Sequence, residues 1–326
     1  MEYLKEEKAF DAVTVGETMV AFEAEDFGPL RHINSFRKWP GGSESNVAIG
    51  LARLGFRVGW VSKLGNDEFG HYILSVIRGE NIDVSQVKMS PEFKTGVFFV
   101  ERDITDKFKN YYYRKYSAAA HISPEDINES YFTKAKYVHI TGITPLISRL
   151  CYRAIEKVID LCIRRKISLS FDPNVRLKIA DISFIRKIIL PIMEKSQIIL
   201  SGAEELILLF EEKNIDKAIG KTLCLLGPAK ELVVKNGRKG AIVVIESKTI
   251  AVPGFSLPRV SSSIGAGDAF DAGYLAGRLK NLSIQDSARY GNAMGAFATM
   301  GWGPFQTLPY EKELDAFLEG RSLKQR

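Results

Sequence analysis

Short runs of Val and Ile alternate with stretches of helical spacing along most of this chain, and that alternation leaves few architectures open. Residues 11–16 (Asp-Ala-Val-Thr-Val-Gly) read as a strand. Residues 45–54 then read as a helix with Val47, Leu51 and Leu54 on one face, stopped by Gly55, and 57–62 as the next strand. Further strands are expected at 137–141, 167–171, 198–200, 231–235 and 241–245, with helical stretches between many of them, 148–164 for example. Val- and Ile-rich strands separated by helices imply an α/β fold with a mostly parallel sheet covered on both faces.

Two stretches break the rhythm. Residues 19–39 and 95–117 carry alternating, aromatic-rich pieces (Val97-Phe-Phe-Val100, Tyr111-Tyr-Tyr113) with no helix between them. They read as antiparallel strands of a small accessory sheet, which would form a lid over one end of the α/β core. Two decorated surface loops are the alternative. No Pro- or Ser-rich linker divides the 326 residues, so a single domain spanning 1–326 is expected, with the lid assembled from two separate stretches.

Composition narrows the function classes. At 45% hydrophobic and 26% charged, the chain can bury a sizeable core. The net charge of +6 is spread along the chain, and the nearest cluster, Arg164-Arg165-Lys166, reads as a solvated helix end. Nucleic acid is therefore not an expected partner, whereas small anionic ligands suit a mild positive bias. Cys151, Cys162 and Cys224 form neither a metal-type pair nor a disulfide framework, which points to a reducing cytoplasm. The first ten residues are charged rather than apolar, so no signal peptide is expected, and no apolar run is long enough to cross a membrane.

The chemistry concentrates in residues 258–277. Gly265, Ala266 and Gly267 are small enough for backbone N–H groups to approach an anion closely, and helical spacing begins at Asp268, with Phe270, Leu275 and Ala276 apolar. A helix N-terminus favours negative charge, so such a turn is an anion site. An Asp there repels a ground-state phosphate but suits a base that takes a proton from an attacking hydroxyl. Taken alone, the same residues also fit an ordinary glycine turn with an Asp at a helix start. A dinucleotide loop fits poorly, because position 270 is Phe and the segment lies near the C-terminus, and no Walker loop occurs.

With its neighbours, this segment resembles the C-terminal signature of the ribokinase-like (PfkB) carbohydrate kinases, Asp-Thr-x-Gly-Ala-Gly-Asp-x-Phe. The stretch Gly41-Gly-Ser-Glu-Ser-Asn-Val-Ala-Ile-Gly-Leu-Ala-Arg-Leu-Gly55, followed by Gly65-Asn-Asp-Glu-Phe-Gly70, is similar to that family's N-terminal signature. The likeness covers nearly the whole chain. It implies a three-layer α/β sandwich with a β lid, and a kinase using ATP and Mg²⁺, with a monovalent cation as a further candidate. By resemblance Asp268 is the catalytic base, and Gly265, Ala266 and Gly267 form the anion hole. Glu17, Gly41, Gly42 and Asn46 fall on the substrate side. Glu205 of Ser201-Gly-Ala-Glu-Glu205 matches the Glu of the family's Asn-x-x-Glu motif, which organises Mg²⁺ indirectly. Lys235, Gly237 and Gly240 of Lys235-Asn-Gly-Arg-Lys-Gly240 fall on the nucleotide-binding turn, and Asn292 near the adenine site. Ser262 replaces the signature's leading Asp, Gly202 the Asn of Asn-x-x-Glu, and Gly303-Pro304 stands where sugar-acid kinases often have Gly-Asp.

Two further segments resemble the 2-keto-3-deoxygluconate kinases of that family. These are Tyr111-Tyr-Tyr-Arg-Lys-Tyr-Ser-Ala-Ala119 and Phe171-Asp-Pro-Asn-Val-Arg176. Arg114 and Arg176, if both face the pocket, offer bidentate donors to a substrate carboxylate, and Tyr112 a hydroxyl and a ring face. Phe98 lies where that group often carries a Tyr, and Tyr116 replaces a usual Gly. The resemblance therefore implies phosphorylation of 2-keto-3-deoxygluconate to its 6-phosphate. If the lid is a small sheet with a free edge, pairing with another copy's lid would cover that edge, so a homodimer through the lid is expected. Fructokinase, ribokinase, 5-dehydro-2-deoxygluconokinase and a non-catalytic sugar-binding regulator stay open as alternatives.

Overall fold

The computed structural model describes residues 8–103, 108–227, 230–246, 248–257 and 260–320. Residues 1–7 of the charged start, 104–107 of the second lid stretch, and Pro258 and Arg259 at the head of the phosphate segment lie outside the described residues. Among the described residues thirteen strands form two sheets. In chain order they are β1 (Phe10–Val15), β2 (Met19–Ala24), β3 (Phe36–Gly41), β4 (Val58–Gly65), β5 (Val87–Ser90), β6 (Val97–Arg102) and β7 (Phe108–Tyr113). Then follow β8 (Ala135–Thr141), β9 (Ser168–Asp172), β10 (Ile198–Gly202), β11 (Glu231–Lys235), β12 (Ala241–Ile245) and β13 (Lys248–Val252).

The large sheet runs β13-β12-β11-β10-β9-β8-β1-β4-β5. It is parallel from β5 to β11 and ends in the antiparallel pairs β11–β12 and β12–β13. Both faces of the inner strands are covered, and alternate residues of each strand enter the layer on either side. Val13 and Val15 face the helices Arg149–Arg165 and Ile182–Lys195, while Ala12 joins the core under Ser43–Arg53, Ala266–Leu279 and Ile284–Ala298. The result is the expected three-layer sandwich.

The small sheet runs β3-β2-β6-β7. The β2–β6 pair is parallel and the outer pairs are antiparallel, a mixed sheet where an antiparallel one was expected. One face buries Met19, Ala21, Trp39, Phe98 and Val100. On the other, Phe22 stacks on Phe99 at 5.3 Å and meets Phe69 of the core edge to face. The sheet is also tied to the C-terminal loop, where Arg37 and Arg102 lie over the Trp302 ring at 4.5 and 3.9 Å. No described helix is long and apolar enough to cross a membrane.

Candidate active site

A cavity of about 650 Å³ lies between the carboxyl end of the large sheet and the apolar face of the small one. A second, of about 560 Å³, shares its Val175, Arg176, Leu177, Gly202, Glu205 and Lys235 wall and continues to Asn236 and Gly237. In parallel α/β sheets the strand ends and the helix starts that follow them bring polar groups to one edge, which is why the site forms there.

Asp268 sits in the first turn of the helix Ala266–Leu279, buried at the cavity wall. Ser43 Oγ donates to its Oδ1 at 2.6 Å and Asn46 Nδ2 to its Oδ2 at 2.7 Å. Burial pushes the Asp268 carboxyl above its ordinary range against the pull of these two donors. Gly265 precedes it in the left-handed region (φ 77°), and a Cβ there would lie 2.6 Å from Pro304. Glycine is required at 265 on both counts. The Ala266 N–H reaches the Ser263 carbonyl at 3.3 Å, and the remaining first-turn amides are the open donors that any helix start leaves.

Three strand and helix ends meet beside this turn. Lys235, the last residue of β11, donates from Nζ to Asp172 Oδ2 at 2.8 Å and to Asp271 Oδ1 at 3.0 Å. Burial raises the Asp172 carboxyl, but the Lys235 charge together with hydrogen bonds from Asp271, Lys235 and the Asn174 backbone outweighs it and holds the group below its ordinary range. Asn174 adopts φ 40°, donates from its backbone N–H to Asp172 Oδ1 and from Nδ2 to Ser43 Oγ at 2.8 Å. An Asn tolerates that left-handed conformation better than most residues, so the Asp-Pro-Asn turn locks the donor of the Asp268 donor. Asn46 Oδ1 and Asn174 Oδ1 are buried without a partner.

Glu205 accepts Val175 N–H at Oε1 (3.1 Å) and Gly202 N–H at Oε2 (2.8 Å), so both oxygens are already committed to backbone. Glu44, adjacent to Ser43 in sequence, is buried against Thr141 and Thr144, whose hydroxyls donate to Oε1 at 2.9 and 2.7 Å. Burial pushes its carboxyl up to about 7. At the small-sheet end, Arg114 pairs with Glu17, which also accepts Ser117 Oγ at 2.5 Å. Arg114 Nε is buried without an acceptor. Arg176 is exposed at the rim.

Glu17, Gly41, Gly42, Asn46, Phe98, Tyr112, Arg114 and Arg176 all line the larger cavity, as do Gly265, Gly267, Asp268, Glu205 and Lys235. Gly237 lines only the smaller one. Ser262, Ala266, Gly240 and Asn292 line neither. Ser262 Oγ accepts the Ile264 N–H at 3.1 Å, and Asn292 Nδ2 is spent on the Val252 and Pro253 carbonyls. Gly240 (φ 96°) serves the β11–β12 turn, where a Cβ would strike the Val252 carbonyl. Tyr116, 70% exposed, lines neither cavity, so its ring does not reshape the site. The reading by residues alone missed Ser43, Glu44 and Asp271. Ser43 and Glu44 lay inside a quoted motif, and the polar Asp271 in an otherwise apolar helix stretch was a signal.

Residues 9–305 match the pfkB family of carbohydrate kinases. The chain belongs to that family. This PfkB kinase is 35% identical over 313 residues to a 2-dehydro-3-deoxygluconokinase from Bacillus subtilis (strain 168), covering 95% of this chain and 96% of the relative. Among solved structures, a PfkB protein from Polaromonas sp. JS666 is 37% identical, with a TM-score of 0.85 over 94% of this kinase and 100% of that chain. A putative ribokinase II from E. coli in complex with ATP and Mg²⁺ is 25% identical, with a TM-score of 0.88 over 96% of this chain and 100% of that one.

Proposed function

We propose that this kinase moves the γ-phosphoryl group of ATP to a hydroxyl of a sugar acid, 2-keto-3-deoxygluconate, giving the 6-phosphate. The observation that carries the reading is the fixed Asp268 carboxylate at the glycine turn, in one cavity with Arg114 and Arg176. The sugar acid takes the larger cavity and the nucleotide the smaller, so the phosphoryl group crosses at their shared wall. The unpartnered Asn46 Oδ1 and Asn174 Oδ1 supply acceptors for substrate hydroxyls, since a buried acceptor left empty is costly. Asp268 takes the hydroxyl proton as the sugar oxygen attacks in line, and the turn's amides stabilise charge on the moving group. The 2-dehydro-3-deoxygluconokinase relative supports this substrate.

The E. coli relative's complex with ATP and Mg²⁺ supports the same cosubstrate here. Among the described residues no cluster of three or more His, Cys, Asp or Glu could hold a metal. A Mg²⁺ carried on the nucleotide would supply charge neutralisation at the phosphates. Glu205, with both oxygens held by backbone, would reach it through water. The small sheet acts as the lid that excludes water. Its outer strands β3 and β7 are the edges through which two copies would pair as a homodimer, which light scattering on the purified protein tests.

A coupled ATP assay over a panel of neutral sugars and sugar acids decides the matter. Turnover is expected to be highest for 2-keto-3-deoxygluconate and to be lost in Asp268→Asn. No substrate giving turnover above that control would refute the reading.

A further inference from the structure

The two cavities share two cations, the exposed Arg176 at the rim and Lys235 deeper in the wall. Lys235 lines both, and its side chain keeps 13% of its surface exposed. A Cβ at Gly267 would lie 3.6 Å from Nζ, so the ammonium rests against the glycine turn itself. An ammonium has three donors. Asp172 takes one at 2.8 Å and Asp271 another, shared between oxygens at 3.0 and 3.3 Å. That count leaves one donor for a ligand at the junction. The two acids are less accessible than the lysine, at 3% and 0% side-chain exposure. Burial foremost, and the charge of Asp172 beside it, push the Asp271 carboxyl well up against the pull of Lys235. A phosphate at the junction therefore meets a cation whose position is fixed by two less accessible acids.

We propose that Lys235 is a catalytic residue that contacts the γ-phosphoryl group in transit, and that Asp172 and Asp271 are positioning residues that hold its ammonium against the Gly265–Gly267 turn. This rests on the assignment of the two cavities to sugar and nucleotide. In the transfer, the bond from the γ-phosphorus to the ADP oxygen breaks as the bond to the sugar oxygen forms, and the sugar proton goes to Asp268. Lys235 keeps its own protons throughout, because the flanking carboxylates outweigh the effect of burial and raise its pKa. A lysine present only to balance buried acids needs no cavity, and an apolar trio often serves as well.

The test is the preference for a non-hydrolysable ATP analogue over ADP, measured by calorimetry with Mg²⁺ on the purified full chain. A γ-phosphate contact predicts that Lys235→Met lowers this preference by ~10-fold or more, the size of a charge-assisted hydrogen bond. Because that variant strands two buried acids, the double variant Lys235→Met/Asp271→Asn provides a better-balanced background and should lose the same preference. Lys235→Arg should restore part of it. Asp271→Asn alone should lower kcat by about 10-fold with ADP affinity unchanged, a split that mere loosening of the fold would not give. Equal weakening of the analogue and ADP, or no preference in the wild type, overturns the proposal. A wild type that shows the Lys235-dependent preference yet phosphorylates no sugar acid would instead overturn the substrate assignment and leave this one standing.

Discussion

At the core end of the cavity each charged group has its partner built into the fold, whereas the end beneath the small sheet keeps donors in reserve. Asp268, Asp172, Asp271, Lys235 and Glu205 are all held by side-chain or backbone groups of the large-sheet layers. Under the small sheet, Arg114 Nε has no acceptor, Arg176 is exposed, and the lining is aromatic. Preorganised charge is what a phosphoryl-transfer step needs, because nothing then has to reorient as charge moves. Open donors and ring faces are what a recognition site needs. Under the proposed function the contrast puts chemistry at one end and selection at the other, and each variant below attacks one end.

The largest effect should come from Asp268→Asn. The amide keeps the shape and can still bond Ser43, but it takes no proton, so kcat should fall by ~10³-fold or more with KM for the sugar acid little changed. A loss in KM alone would move Asp268 to the selecting end. In the wild type, burial raises the Asp268 pKa, so the acid limb of kcat/KM should lie above the ordinary aspartate value of 3.8.

Glu44 tests whether a second buried acid of the same end is chemical or structural. Its carboxyl titrates at about 7 when folded against 4.5 when unfolded. Below pH 4.5 both states hold the proton, so Glu44 costs nothing there. As pH rises from 4.5 to 7 the unfolded chain releases its proton while the folded one keeps it, and stability falls. Glu44→Gln should flatten that slope, by up to about 3 kcal/mol at pH 8 in urea unfolding, on the usual conversion of pKa units. Turnover should change far less than in Asp268→Asn. A comparable loss of kcat would make Glu44 part of the chemistry.

The two ends also differ in how much of them could be read from the residues in order. Strands β11 and β12 were legible to the residue, because Leu232 to Val234 and their neighbours are buried in a continuous apolar run. Strand β13, Lys-Thr-Ile-Ala-Val, was not, since as the outermost strand it is mostly exposed and lacks that run. The glycine turn and Asp268 lie in one contiguous segment, so their placement together at a helix start showed in the local pattern. The Lys235 cluster did not show as a unit, because its members close only when the ends of β9 and β11 meet the helix Ala266–Leu279. The residues around Arg114 do not name Glu17 as its ion-pair partner, because the two lie far apart in sequence and meet only in the fold.

Arg176→Ala probes the selecting end without stranding a buried partner, unlike Arg114→Ala, which would leave the Glu17 carboxylate buried and alone. If Arg176 grips the substrate carboxylate, KM for the sugar acid should rise by about 10- to 100-fold, the range for a charge-assisted bond, with kcat nearly constant. Weak turnover of a neutral sugar of the same length should not change. An equal effect on both substrates would show that Arg176 meets a group they share, such as the nucleotide, and would shift the boundary between the two ends.

The smallest effect is expected from Phe98→Tyr. The ring is buried edge to face on Trp39 at 5.5 Å and against Tyr112 at 5.4 Å, and its outer atoms approach Gly41, where an added Cβ would come within 3.0 Å. A hydroxyl on that ring edge enters the cavity beside Gly41 and the Asn46 wall. One added neutral hydrogen bond to substrate is worth ~1 kcal/mol, so KM should fall by about 3-fold with kcat unchanged. A rise in KM instead would mean that the new hydroxyl is buried against the Gly41 backbone without an acceptor, and that the selecting end is as tightly filled as the chemical one.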